Sequence, residues 1–180
     1  MGIKFSEQEL LQGCLKQKPE MQRALYQKFS RTMLGICIRY TKDKMEAEDI
    51  LQQGFMKVFD HLESFKGGSL EGWMKRIFVR ESIDQYRKNQ RNVFSFSQEP
   101  EDHHSIELDD VIGQLSTEEI VNLISELPEG CKMVFNLYAV EGYNHREIGE
   151  MIGIRDGTSK SQYARAKELL KEKIYARENG

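Results

Sequence analysis

The chain has 180 residues, of which 39% are hydrophobic and 31% charged, with a mean hydropathy of −0.61 and a formal net charge of −3. These values suit a soluble globular chain whose apolar residues are spread over amphipathic elements, and the length accommodates one core or two modest ones. The apolar runs are too short to span a bilayer, and Cys14, Cys37 and Cys131 lie far apart in no CxxC spacing, so the pattern suggests neither a membrane-spanning helix, a disulfide framework nor a thiolate zinc centre.

Only three prolines interrupt a chain rich in Leu, Lys, Glu, Gln and Met, which favours helices. Ser6 and Glu9 form a Ser-x-x-Glu capping box that predicts a short helix over 6–17. The same serine completes a loose Met-Gly-x-x-x-Ser acylation pattern, but the cap accounts for it without a lipid. Nothing near the N-terminus has the apolar run of a secretory signal, so the expected location is cytoplasmic. Pro19 suits the first turn of a second helix, whose residues Met21, Leu25, Phe29, Met33, Ile36, Cys37 and Tyr40 recur every three or four positions on one buried stripe.

A third helix is predicted from about Asp43 to Leu62. Asp43, Glu46 and Glu48 lie at its positive end, and Ala47, Ile50, Leu51, Phe55, Val58, Phe59 and Leu62 face inward. Gly54 inside it costs about 1 kcal/mol relative to alanine, which points to close packing against a neighbour. Gly67 and Gly68 break the chain, and Ser69 caps a fourth helix anchored by Leu70, Trp73, Ile77, Ile83 and Tyr86. Lys75, Arg76, Arg80, Arg87, Lys88 and Arg91 are left for its solvated face, against only Glu81 and Asp84.

From Ser95 to Glu119 there are eight acids, Glu99, Glu101, Asp102, Glu107, Asp109, Asp110, Glu118 and Glu119, and no Lys or Arg; the rest of the chain is net basic. With Pro100 and its serines, this stretch reads as a flexible linker over 95–116 between helical domains at 1–94 and 117–180. Beyond it, Thr117 to Leu127 forms a helix, and Pro128 opens another that carries Met133, Val134, Leu137 and Tyr138 and ends at Gly142. Asn144 and Glu147 cap a short helix with Ile148, Met151 and Ile152 inward, ended by Gly153. Thr158 then caps a basic helix in which Tyr163, Ala166, Leu170 and Ile174 face the core. Two short helices joined at a glycine, the second one basic, describe a helix-turn-helix. The expected fold is all-α, with two helical domains, an acidic tether and a C-terminal helix-turn-helix.

Both halves resemble the extracytoplasmic-function sigma factors of the sigma-70 family. Ala47-Glu48-Asp49-Ile50-Leu51-Gln52-Gln53-Gly54-Phe55 is similar to the family's A-E-D-[LI]-x-Q-x-x-F signature in region 2. Gly72-Trp73-Met74-Lys75-Arg76-Ile77 and Ile83-Asp84-Gln85-Tyr86-Arg87 resemble its G-W-L-x-x-I and I-D-x-L-R stretches. Leu127 to Phe135 resembles the opening of region 4, and Gly157-Thr158-Ser159-Lys160-Ser161 its G-T-V-K-S. Arg80 stands where the family usually has asparagine, Ser159 where it has an apolar residue, and Gln162 where arginine is frequent.

The resemblance implies a non-enzymatic subunit that recognises promoters for core RNA polymerase, with promoter DNA and an anti-sigma protein as further partners and neither cofactor, metal nor small-molecule substrate. It assigns core binding to Glu48, Asp49, Gln52, Gln53 and Phe55. Phe65, Lys66, Lys75, Arg76, Arg80, Arg87 and Lys88 are assigned to the minus-ten element, where aromatics beside a loop can hold an unstacked base. Trp73 is read as packing. For the minus-thirty-five element the candidates are Thr158, Lys160, Ser161, Gln162, Arg165 and Lys167.

Two other readings compete. The helix-turn-helix is shared by stand-alone transcriptional regulators, which would bind a duplex without polymerase. A metal-dependent nuclease using Asp102, His103 and His104 would need a rigid coordination shell, which a charged, loop-like segment does not imply.

Overall fold

A computed structural model describes residues 5–92 and 117–178, all of their regular structure helical. The predicted acidic tether over 95–116, with Asp102, His103 and His104, lies outside the described residues, as does the acylation pattern before Phe5. The described chain divides into two compact units, one holding the residues up to Ile38 with Asp43–Ser82, the other Arg39–Lys42 with the residues from Ile83 onward.

In the first unit, α1 (Glu7–Leu15) begins at the predicted capping box. The Glu9 N–H donates to Ser6 Oγ at 3.2 Å, and the Ser6 N–H donates back to Glu9 Oε2 at 2.8 Å. Helix α2 (Pro19–Tyr40) starts at its proline and buries Leu25, Phe29, Met33, Ile36 and Cys37 along the expected stripe. Asp43 caps α3 (Lys44–His61), accepting from the Glu46 N–H at 2.9 Å. Ala47, Ile50, Leu51, Phe55 and Val58 are buried. Gly54 faces the Phe78 ring so closely that a Cβ there would lie 2.2 Å from Phe78 Cε1, which explains a glycine inside a helix.

A single 3₁₀ turn (Leu62–Ser64) follows, and then Gly67 and Gly68, both at positive φ, bring the chain to α4 (Leu70–Asn92). The Gly72 N–H donates to Ser69 Oγ at 3.0 Å, as the cap requires. The buried stripe of α4 differs from the expected one: Leu70, Met74, Phe78, Val79, Ser82 and Ile83 are buried, while Trp73, Ile77 and Tyr86 are only half-buried. The spacing of three from Leu70 to Trp73 selects the edge of the helix's inward face, and the spacing of four to Met74 and Phe78 selects its centre. Ser82 is tolerated on that stripe because its hydroxyl donates to Phe78 O at 2.9 Å.

Besides the end of α4 from Ile83, the second unit contains α5 (Thr117–Ser125), α6 (Glu129–Phe135), α7 (His145–Ile152) and α8 (Asp156–Glu178). Leu123, Ile124, Leu127, Cys131, Phe135, Ala166, Leu170 and Ile174 form its buried cluster. The α-helical part of α6 stops well before Gly142. Asn136–Val140 widens into a π-turn, in which the Glu141 N–H donates to Asn136 O, and Gly142 takes φ +80°. Helix α8 begins at Asp156, ahead of the expected cap, so Thr158 lies in its first turn.

Candidate functional site

Three surfaces carry the predicted residues. On α3, Glu48, Asp49, Gln52 and Gln53 are exposed on one side, because the apolar positions between them are committed to the core. Phe55 is turned the other way. It is 3% exposed and packs against Tyr26 (ring centroids 4.6 Å apart) and Phe78 (5.3 Å), so it supports the polar face from behind. The sequence pattern gave no reason to single out Met45 and Met56, which are 73% and 59% exposed. At one hundred degrees per residue they fall among Asp49 and Gln52, making this face part apolar and part acidic. Exposure of unbranched, polarizable side chains beside polar ones suits a protein partner.

The second surface runs from the glycine turn along α4. Phe65 is half-buried, its ring centroid 5.7 Å from that of Trp73, and Lys66 beside it is exposed. Trp73 thus packs at the rim of the unit and not at its centre. Lys75, Arg76, Arg80, Arg87 and Lys88 are all exposed, because the inward stripe of α4 leaves them no other side. Lys75 pairs with Glu71 at 2.9 Å, one turn away and open to solvent, a contact worth less than about 1 kcal/mol and easily exchanged for a phosphate. A row of cations beside a half-covered aromatic pair can hold a nucleic-acid backbone and a stacked base.

The third surface is the helix-turn-helix of α7 and α8. Asn144 Oδ1 accepts from the Glu147 N–H at 3.0 Å, and Glu147 Oε2 accepts from the Asn144 N–H at 2.8 Å, closing the predicted box. Gly153 ends α7 in the left-handed conformation at φ 77°. Gly149, which the sequence pattern did not mark, is where the turn comes closest, since a Cβ there would lie 2.7 Å from Ile154 O. Lys160 is exposed and pairs with Asp156 at 2.7 Å, and Lys167 Nζ lies 5.2 Å from the Tyr163 ring centre. Arg165, Thr158 and Ser161 are half-buried, the Ser161 hydroxyl donating to Thr158 O at 3.0 Å. Gln162 is turned inward: its Oε1 accepts from Cys131 Sγ at 2.9 Å, and its amide lies against Gly130. Buried within the motif, the Ser159 hydroxyl lies 3.0 Å from His145 Nδ1, a contact the sequence alone did not disclose.

Among the described residues no group of His, Cys, Asp and Glu is placed to hold a metal, and no helix is long and apolar enough to cross a membrane.

Comparison with known proteins matches residues 25–92 to sigma-70 region 2 and residues 107–170 to sigma-70 region 4, which together take in well over half of the chain. The chain is 27% identical over 160 residues to the ECF RNA polymerase sigma factor SigM of Bacillus subtilis, covering 82% of this chain and 91% of that protein. It is 25% identical over 147 residues to the ECF RNA polymerase sigma factor SigE of Mycolicibacterium smegmatis, covering 76% of this chain and 55% of that longer relative. Among solved structures, the sigma factor RpoE of Bartonella quintana, in complex with the anti-sigma factor NepR, is similar at 23% identity and a TM-score of 0.46, over 83% of this chain and 94% of that one. With both sigma-70 regions matched in order along a helical chain, and with sigma factors of one group as its relatives, the chain belongs to the extracytoplasmic-function group of the sigma-70 family.

Proposed function

We propose that this sigma factor docks on core RNA polymerase through the outer face of α3 and directs it to promoters by gripping DNA with two separate modules, residues 1–94 and 117–180. Glu48, Asp49, Gln52 and Gln53 make the polymerase contact, and Phe55 holds their helix in place. Phe65 and Lys66, with Lys75, Arg76, Arg80, Arg87 and Lys88, take the minus-ten element; Arg80 serves as a phosphate contact. Thr158, Lys160, Ser161, Arg165 and Lys167 take the minus-thirty-five element, and Gln162 braces the helix from within. The acidic stretch 95–116 repels the DNA backbone and sets the reach between the modules.

The observation that carries this reading is the exposed cationic row of α4 beside the Phe65–Trp73 pair. An unpaired strand offers both phosphates and free base faces, and this surface offers a partner for each. Capturing unpaired bases shifts the melting equilibrium, so opening requires no catalytic residue. An anti-sigma protein would act by covering the α3 face or the basic rows, and the expected site of action is the cytoplasm.

The test is run-off transcription from genomic DNA with purified core polymerase, followed by mapping of start sites. Addition of the chain should create discrete new starts that share two upstream elements. No affinity for core enzyme and no start-site selection would overturn the proposal, and tight duplex binding without polymerase would favour a stand-alone regulator.

A further inference from the structure

His145 begins α7, and its surroundings tie three elements together. Its ring stacks on Tyr138 of the π-turn, with centroids 4.3 Å apart and planes 11° from parallel. Tyr163 of α8 closes the other approach, at 5.8 Å and 56°. Tyr138 and Tyr163 themselves touch, at 4.5 Å. Nδ1 lies 3.0 Å from the hydroxyl of Ser159, which is 0% exposed in the first turn of α8. A buried hydroxyl without a partner is costly, and a position that could have been apolar carries one here that the histidine satisfies.

We infer that His145 is a positioning residue for the recognition helix: its Nδ1, clamped by the two tyrosine rings, holds Ser159, and the neutral imidazole is the form that sets α8 for DNA. The inference rests on the proposed role of α8 at the minus-thirty-five element. With the ring neutral and its proton on Nε2, Nδ1 can accept the Ser159 proton; in the imidazolium Nδ1–H donates instead, so the bond reverses, the Ser159 oxygen accepts, its buried O–H proton loses that acceptor, and the stack must hold a charge.

The groups facing the ring are Asp156 and Lys160 at the start of α8, with Tyr138, Tyr163 and the ammonium of Lys167 over the Tyr163 ring. Burial holds the imidazole below its ordinary 6.5, Asp156 works against that shift, and Lys160 adds to it. Because the folded value is lowered, the contribution of the neutral ring is complete above 6.5. It is lost as pH falls from there through the folded value.

The experiment compares transcription by the reconstituted holoenzyme from an intact promoter with that from the same promoter scrambled at minus thirty-five. Taking the ratio between pH 7.5 and 5.5 cancels the response of core polymerase itself. The ratio should fall about fivefold or more in the natural chain, the factor that a buried O–H proton deprived of its acceptor imposes. It should stay flat in His145→Asn, which keeps an acceptor near the Nδ1 position. Ser159→Ala, the milder change, should also give a flat profile. An equal pH response in either variant overturns the inference.

A second readout needs no DNA. In the full chain the backbone amide signals of Ser159 to Tyr163 should titrate with the same midpoint as the His145 ring, and should not do so in His145→Asn. Absence of that shared midpoint overturns the inference whatever the promoters show. A shared midpoint without any dependence on the minus-thirty-five element confirms the positioning and overturns the promoter role of α8 instead.

Discussion

Gly54 and Gly149 are two of the described glycines that let elements of this protein approach closely. Alanine at an interior helix position ordinarily gains about 1 kcal/mol over glycine, but at Gly54 its methyl would enter the Phe78 ring, and at Gly149 it would press on the carbonyl of Ile154. The two sites differ in what can yield. A ring can rotate away, whereas a backbone carbonyl moves only with its turn. Gly54→Ala should cost the first unit about 1–3 kcal/mol in urea unfolding, and Gly149→Ala should lower amide exchange protection across α7 and the start of α8 by about tenfold or more. The cysteines allow a chemical check on burial at the same scale. Burial pushes Cys14 up to about 11 and Cys37 up to about 12, which leaves almost no thiolate at pH 8. Alkylation followed by mass spectrometry should find both modified at least about a hundredfold more slowly than a free thiol, with the difference abolished in denaturant.

At the level of elements, the helices were legible where caps and stripes agreed. The boxes at Ser6 and Asn144, the proline opening α2 and the glycine ending α7 all announce themselves, because each is a local solution to unpaired backbone groups. The inner face of α4 was harder to place. Apolar residues occur on adjacent faces, Trp73 and Ile77 on one and Met74 and Phe78 on the other, and only packing against Gly54 and Phe55 decides between them. The π-turn after Phe135 leaves no mark in composition. Nor does the pairing of Ser159 with His145, which joins residues fourteen positions apart. The basic face of α4 was readable from the residues themselves and the polar candidates on α3 came with the family resemblance, but Met45 and Met56 were marked by neither, since an exposed methionine looks like a buried one until its helix is oriented. Aspartate at Met45 or Met56 should weaken binding to core polymerase by about tenfold without changing helix content, as measured by fluorescence anisotropy and circular dichroism. Alanine at Arg76 or Arg80 should reduce the salt dependence of promoter binding by about one unit if each holds a phosphate, and equally for every promoter.

For the whole molecule, the charge pattern matters more than its sum. A net charge of −3 is a poor description of a chain whose acids gather between Ser95 and Glu119 and whose cations line α4 and α8. Nucleic-acid affinity follows the local field, screened over about 8–10 Å at physiological salt. The chain alone should therefore bind a promoter duplex weakly, and core polymerase should raise that affinity by about a hundredfold or more, since each basic row gains from the other only when both are held on one DNA. Titration of labelled promoter with the chain, with core enzyme and with both would measure it, and equal affinities would mean that the modules act independently.

The left-handed glycine at the end of α7 bears on how such a protein diversifies. Because Gly153 and Gly149 fix the turn through the backbone, the angle at which α8 is offered does not depend on which side chains line its outer edge. Under the proposed promoter role of α8, substitution at the exposed Lys160 should change which promoters are bound while the mounting of the helix stays the same. A library randomised at Lys160 and the neighbouring exposed positions of α8 should yield folded variants at high frequency, and one randomised at the two glycines should yield few.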